Sequence, residues 1–536
     1  MKLPEMKYAD RIHKSKQIRF GGLNHTVSAS DGELFAMRNL TSDCAPVLAS
    51  RAPRLKCGML QEPGGLFSWE KLCWVDGTDF YFDGAVKGQV TAGKKTFAGI
   101  GSWIVILPDK CCYNADTGDF RGMEAKWSGQ SLTFCDGMLY GAEAKANTIQ
   151  CPGVDWADWF RAGDGVTISG CSKKPGNNKS IIIRSIDGDK LYFYENSFAL
   201  DADGAACTEE GNLCIERRMP ELKYICENEN RLWGCTYDRI FCCKLGDPFN
   251  WEVWDGLDTD SWNVDTGSAG AFTGCIAYGG YPLFFKEDYI YKVYGSVPSN
   301  FGVVGNASIG LAKECGESLA VAGEALFYMS TSGVMAYSGG IPQPIGAAFG
   351  LQRFKSAVAG SDGLKYYISQ ENAEGDWELC VYDTQRGLWH REDELQVSHY
   401  TKYNGNLYML DTDGNIWIGG NPQNQPDGAV PEETLEWMAE FSDFTGDEPN
   451  KKGVTKLQLR LELEEGASAQ VWMQFDSDGQ WQKIGPALST STKRSYYLPI
   501  IPRRADHYRL KLTGTGGCRI YSLTRENYIG SEHKSK

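Results

Sequence analysis

The sequence predicts an all-β protein: a β-propeller of six to eight blades, seven favoured, with an inserted small β-barrel domain and a C-terminal β-sandwich. Three observations predict it. Helical periodicity is nearly absent, and short apolar runs rich in Val, Ile, Tyr, Phe and Trp alternate with Gly, Asp and Asn turns. The 62 glycines outnumber the 20 prolines, which suits a chain of many tight turns whose strands keep their backbone donors. A phrase also recurs: apolar strand, Gly-containing turn, second apolar strand with aromatic residues. It runs over 72–82 around Asp76-Gly77, 132–140 around Asp136-Gly137, 320–329 around Gly323-Glu324 and 403–411 around Asn404-Gly405. One such hairpin cannot bury its own apolar face, whereas a ring of them can.

The elements follow in chain order. Residues 1–17 read as an N-terminal arm, because Met1 to Phe20 is polar and basic and lacks the apolar core of a secretory signal. The first part of the propeller spans 18–154 and holds two to three blade-sized units. The rhythm breaks over 155–216, where 159–170, 180–185 and 190–194 supply strands joined by the turn Asp187-Gly188-Asp189. This segment is expected to be a compact inserted β domain. Blades resume over 217–425, and the unit at 400–420 is expected to pair with N-terminal strands and so remove an exposed sheet edge. A connector with one crossing strand fills 426–450. Over 454–463, Leu457, Leu459, Leu461 and Leu463 alternate with Gln458, Arg460 and Glu462, the pattern of a half-buried antiparallel strand. That strand opens a sandwich over 451–530, and 531–536 reads as a flexible tail.

Bulk properties narrow the function. A net charge of −15 excludes broad electrostatic binding to nucleic acid, yet suits a surface past which DNA must slide without sticking. No stretch is long and apolar enough for a membrane-spanning helix, so no membrane insertion is expected. The 18 cysteines form no Cys-x-x-Cys pair and have no nearby His to complete a ligand set. Cys111-Cys112 and Cys242-Cys243 are adjacent pairs that a strand points to opposite faces. They read as reduced, buried thiols of a protein made in a reducing cytoplasm.

Residues 231–251 carry a resemblance. Arg231-Leu232-Trp233 and Asp238-Arg239-Ile240-Phe241-Cys242-Cys243 form a strand pair. Leu245-Gly246-Asp247-Pro248-Phe249-Asn250-Trp251 follows as a tight turn. The string resembles a phrase in propeller-bearing tail proteins of tailed bacteriophages and prophages. That family includes the tail-nozzle and packaged-DNA stabilisation proteins of short-tailed phages. The order downstream is similar, through Phe284-Phe285, Tyr289-Ile290-Tyr291, 309–312 and 327–337, and so are the C-terminal runs 502–516 and 519–526. The likeness covers about two-thirds of the chain, by pattern more than identity, and 155–216 is not part of it. It implies a structural virion component in the tail or at the head-tail junction, assembled in the host cytoplasm. Such a protein forms a homo-oligomeric ring that docks portal, adaptor or other tail proteins around the DNA path.

Candidate chemistry is sparse. Leu245, Gly246, Asp247, Pro248, Phe249 and Trp251 are the family-resembling motif, with a structural role expected. Trp156, Trp159, Trp251 and Trp254 are candidates for stacking on glycan, the basis of an alternative reading as a host-attachment protein. Glu227, Glu229 and Asp238 lie near aromatic strands, and a glycoside hydrolase needs two such carboxylates. Asp411-Thr412-Asp413-Gly414-Asn415 and Asp476-Ser477-Asp478-Gly479 resemble the start of a calcium loop but lack its distal ligands, and read as hairpin turns. His390, His399 and His507 stand outside any metal or nucleophile motif. No P-loop, dinucleotide fingerprint, nucleophile elbow or zinc motif occurs, so no cofactor and no catalysis are expected.

Overall fold

The computed structural model describes residues 11–26, 29–138, 144–194, 197–420, 422, 424–445, 451–489 and 492–529. The chain divides into two compact units, Gln61–Gly316 and Met1–Leu60 with Glu317–Lys536. Both are built of antiparallel sheets, and the chain is a β-propeller protein with an inserted closed barrel and a C-terminal sandwich.

Gln61–Gly316 holds four blades, each a four-stranded meander. Blade 1 comprises Pro63–Trp69, Lys71–Asp76, Asp79–Phe82 and Ala85–Gln89. Blade 2 comprises Thr96–Ile100, Trp103–Leu107, Cys111–Asn114 and Phe120–Gly122. Blade 3 comprises Tyr224–Asn228, Arg231–Cys235, Arg239–Cys242 and Trp262–Asp265. Blade 4 comprises Gly274–Tyr278, Tyr281–Phe285, Tyr289–Tyr294 and Gly302–Ala307. The repeated phrase is the central hairpin of blade 1. Cys73 faces Phe82 and Val75 faces Phe80 on the buried side, while Gly77 takes φ +61° in the turn. Adjacent cysteines part as a strand requires: Cys111 joins the core of Phe80 and Ile104, and Cys112 that of Ile100 and Trp251.

Between blades 2 and 3 sits the closed barrel of Ala125–Met138, Ala144–Gln150, Gly165–Ser169, Ser180–Asp187, Lys190–Phe193 and Cys207–Arg217. The inserted body therefore begins about thirty residues before 155. The expected boundary of 155–216 is corrected because Ala125–Met138 is one long, bent strand that pairs with Cys207–Arg217 along most of its length. The phrase at 132–140 accordingly belongs to the barrel and not to a blade. Gly137 lies within the strand, opposite Lys145. Residues 139–143 lie outside the described residues.

The other unit holds three further blades, which makes seven among the described residues. Blade 5 comprises Ala320–Ala322, Ala325–Ser330, Gly333–Tyr337 and Gln343–Pro344. Blade 6 comprises Phe354–Ser361, Lys365–Asn372, Trp377–Asp383 and Leu388–Arg391. Blade 7 comprises Val397–Tyr403, Asn406–Asp411 and Asn415–Gly419, Leu55–Met59 pairs with Asn415–Gly419, and Val430–Pro431 from the expected connector adds a fifth strand on Leu55–Met59. The pairing of the 400–420 unit with an N-terminal strand is thus present.

The sandwich packs two sheets. One contains Lys452–Leu463 and Cys518–Ile529, with Leu457, Leu459, Leu461 and Leu463 all buried as alternation requires. The other contains Glu436–Phe441, Ser468–Phe475 and Tyr508–Thr515. Three boundaries are corrected here. Arg11–Gln17 is a strand on Cys518–Ile529 rather than part of a free arm. Leu40–Thr41 and Leu48–Ser50 join that same sheet, and Leu34–Arg38 joins the facing one, so 18–50 is not propeller. The crossing strand Glu436–Phe441 is a central member of the second sheet. Arg11–Gln17, Leu34–Arg38 and Leu48–Ser50 each pair with a strand hundreds of residues away, where a local reading has no access to it. Residues 1–10, 446–450 and 531–536 lie outside the described residues, and with them most of the expected arm and tail.

Candidate functional site

The family-resembling loop connects the third and fourth strands of blade 3. Its tight turn forms because Lys244 N donates to Asn250 O at 2.8 Å and Asp247 N to Lys244 O at 3.0 Å. Gly246 occupies φ +70° there, a conformation that favours glycine. Asp247 locks the turn: Oδ1 accepts from Phe249 N at 3.0 Å, and Oδ2 accepts from the side chain of Asn250. Arg231 holds the far side of the loop by donating to the carbonyls of Cys243, Asp258 and Asp260 at 2.6–2.9 Å. Asp260 Oδ2 accepts three successive backbone N–H groups, from Asp255, Gly256 and Leu257.

What the loop grips is the barrel. Asn250 is 1% exposed. Its Oδ1 accepts from Gly165 N at 2.6 Å and its Nδ2 donates to Gly163 O at 3.2 Å, so one amide reads both backbone polarities of the barrel loop. A Cβ at Gly165 would lie 2.4 Å from Val253, so only glycine lets the loop approach. Phe249 fills the joint, 4.0 Å below the Arg121 guanidinium, 5.2 Å from that of Arg217, and edge-on to Trp103 at 5.1 Å. Arg217, where the barrel returns to the blades, pairs with Asp164 and donates to Met123 O at 3.1 Å. Burial pushes the Asp164 carboxyl above the usual carboxylate range, against the pull of Arg217. Trp251 is 0% exposed, donates to Pro248 O at 2.8 Å and packs with Ile100, Met123 and Leu222. The loop is a mount that fixes the barrel to blades 2 and 3, and its donors and acceptors are spent on that task.

The glycan-stacking candidates divide. Trp156 and Trp251 are each 0% exposed and cannot offer a face to a sugar, which corrects that expectation for both. Trp156 is the barrel's core, edge-on to Trp127 and donating to Asp189 O. Trp159 and Trp254 remain 43% and 55% exposed, and Leu245, the first residue of the motif, is also exposed. Of the three acids near aromatic strands, Glu227 Oε1 accepts from Asn230 N in a hairpin turn.

The calcium-like strings are turns. Asp411 accepts from Asn415 N, Asn415 Nδ2 and Trp417 Nε1, and Asp476 from Asp506 N. Among the described residues no group of three His, Cys, Asp or Glu side chains is placed to hold a metal ion. Burial lowers the pKa of His390 to about 4, so its ring is neutral in the core at neutral pH. His399 meets Ser398, and His507 meets Ser477.

Sequence reading missed a second feature, in the unit that holds the sandwich. Arg51 and Arg54, just before the last strand of blade 7, meet Glu392 and Asp393 after blade 6 and Glu432 from the connector. The closest contacts are Arg54–Glu392 at 2.6 Å, Arg54–Asp393 at 2.7 Å and Arg51–Glu432 at 2.7 Å. Burial alone would raise the carboxyl of Asp393, but Arg54 and Arg51 hold it below the usual range. No local pattern announces partners more than 330 positions apart.

No family model matches the chain, and no curated protein does. Among solved structures, BamB from Moraxella catarrhalis is 12% identical, with a TM-score of 0.31, over 70% of this chain and 99% of that one. BBS1N in complex with ARL6DN is 10% identical, with a TM-score of 0.32, over 70% and 98%. Oligogalacturonate lyase from Vibrio parahaemolyticus is 10% identical, with a TM-score of 0.24, over 72% and 98%. At such scores these likenesses carry no argument about function, and the fold rests on the strand pairing itself.

Proposed function

We propose that this protein is a non-catalytic structural component of a tailed-phage virion, in the tail or at the head-tail junction. In this reading copies close into a ring that docks portal, adaptor or other tail proteins around the DNA path. The observation that carries it is the mount. The loop that carries the resemblance to the tail proteins most specifically holds two β bodies together, as a load-transmitting part requires. The net charge of −15 supports it, since a negative surface lets phosphate pass without adhering.

The test is incorporation. Particles are produced in cells expressing the chain with a small internal tag, purified on a density gradient, and imaged with a label on the tag. The expected result is several copies per particle at one axial position, and rings of the isolated protein at high concentration. A chain that stays monomeric and never enters particles sinks the proposal.

A further inference from the structure

One end of blade 6 carries a cleft of about 630 Å³, within the usual range for a small-molecule site. In a meander, the start of the first strand, the hairpin between the second and third, and the exit from the fourth lie at the same end. The cleft is built from those three places. Gln352 precedes the first strand, Asn372 to Trp377 form the hairpin, and Arg391 to Gln396 leave the fourth. The hairpin is rigid, because Asn372 Oδ1 accepts from Glu374 N and Asp376 N at 3.0 and 2.9 Å.

The floor of the cleft is an ion pair. Glu378 is 8% exposed, and its Oε2 lies 3.2 Å from Arg391 Nε. Arg391 also pairs with Glu394 at 3.3 Å. The rim supplies Trp377, half-buried, with the side-chain amides of Gln352 and Gln396.

We propose that this cleft binds a neutral saccharide, with Trp377 as the stacking face and Gln352 and Gln396 as adaptable partners for hydroxyls. A sugar ring presents an apolar C–H face to an indole and hydroxyls that both give and accept, which amides match in both senses. Charge decides against acidic ligands. Glu378 and Glu394 pair with the single guanidinium in the lining and Asp376 adds a further carboxylate, so a phosphate, sialic acid or uronate would meet repulsion. This inference does not depend on a place in a virion.

The intact chain is applied to an array of neutral oligosaccharides, including maltohexaose and chitotetraose, with 3′-sialyllactose and tri-galacturonate as acidic probes. Hits are titrated by calorimetry. The expected result is binding of a neutral oligosaccharide and of neither acidic probe. Trp377→Ala and Gln396→Ala should each weaken it by about tenfold with the melting temperature unchanged. Three results overturn the proposal: no neutral oligosaccharide bound, an acidic probe preferred, or affinity indifferent to both substitutions. Particle incorporation, measured on the same Trp377→Ala variant, reports on the virion reading separately.

Discussion

The barrel mount and the Arg51–Arg54 network solve the same problem, joining β bodies within one unit, by opposite means. The mount is contiguous: seven residues, 245–251, supply the turn, the amide that grips Gly163 and Gly165, and the two aromatic rings that fill the joint. The Asn250 contacts to the barrel backbone are neutral, with the buried Arg217–Asp164 pair beside them. The network is assembled from three distant segments and consists of buried charge. A neutral clip costs little when trimmed, because only one or two hydrogen bonds are left open. A buried charge cluster is costly to break, because its remaining members stay charged in a place that excludes water.

That contrast sets the sizes of the expected effects. Arg54→Ala removes one of two cations facing three carboxylates and should destabilise the sandwich-bearing unit by about 3–5 kcal/mol. Denaturant unfolding followed by a probe in that unit checks it. A loss under about 1 kcal/mol would erase the distinction between the two joints.

Acid should separate the units next. His390 has a folded-state pKa lowered to about 4, so the unfolded chain binds its proton first as pH falls. The stability it confers is present above pH 6.5 and declines between 6.5 and about 4, by about 3 kcal/mol in all at 1.36 kcal/mol per pKa unit. Asp393, held low by the arginines, adds to the loss below the ordinary carboxylate range. Asp164, held high in the mount, has the opposite sign: acidification just above the ordinary carboxylate pKa stabilises the barrel unit. Hydrogen exchange at pH 7 and 5 should show protection falling in blade 6 and holding in the barrel. Parallel loss in both would contradict this assignment.

Asn250→Ala strands Gly165 N and Gly163 O and should cost about 1–3 kcal/mol. Its distinctive readout is faster proteolysis at 123–125 and 217–222, where the barrel leaves and rejoins the blades, with the core of the sandwich unaffected. Trp254→Ala is the smallest change. The side chain is exposed and outside the mount's contacts, so stability should move by no more than about 0.5 kcal/mol. A larger loss would show that the rim of the loop bears load as well as its buried side.

Much of this was legible in the chain. The alternating Leu457–Leu463 run and the turns at Gly77, Gly323 and Gly405 identify strands and hairpins because their information is local. The motif at 245–251 was legible as special for the same reason, though not what it grips. Its grip depends on Gly163 and Gly165, some 85 positions away. The exposed and buried tryptophans could not be told apart in advance: Trp156 and Trp159 sit three residues apart, one at the barrel's centre and the other on its surface. The blade 6 cleft gave no local signal, because its residues come from three turns that only the meander brings to one end.

By itself, the sequence determined the strand periodicity, the turn positions, the blade rhythm and the presence of one decorated loop. Each follows from residues within about a dozen positions of one another. Tertiary structure alone decided that the barrel starts at Ala125, that Arg11–Gln17 and Leu34–Ser50 serve the sandwich, and which charged and aromatic side chains are buried. The physical reason is that a strand states its own alternation but not its partner. Partners are chosen by which distant edge is free and which face must be covered, and that choice exists only once the chain has folded.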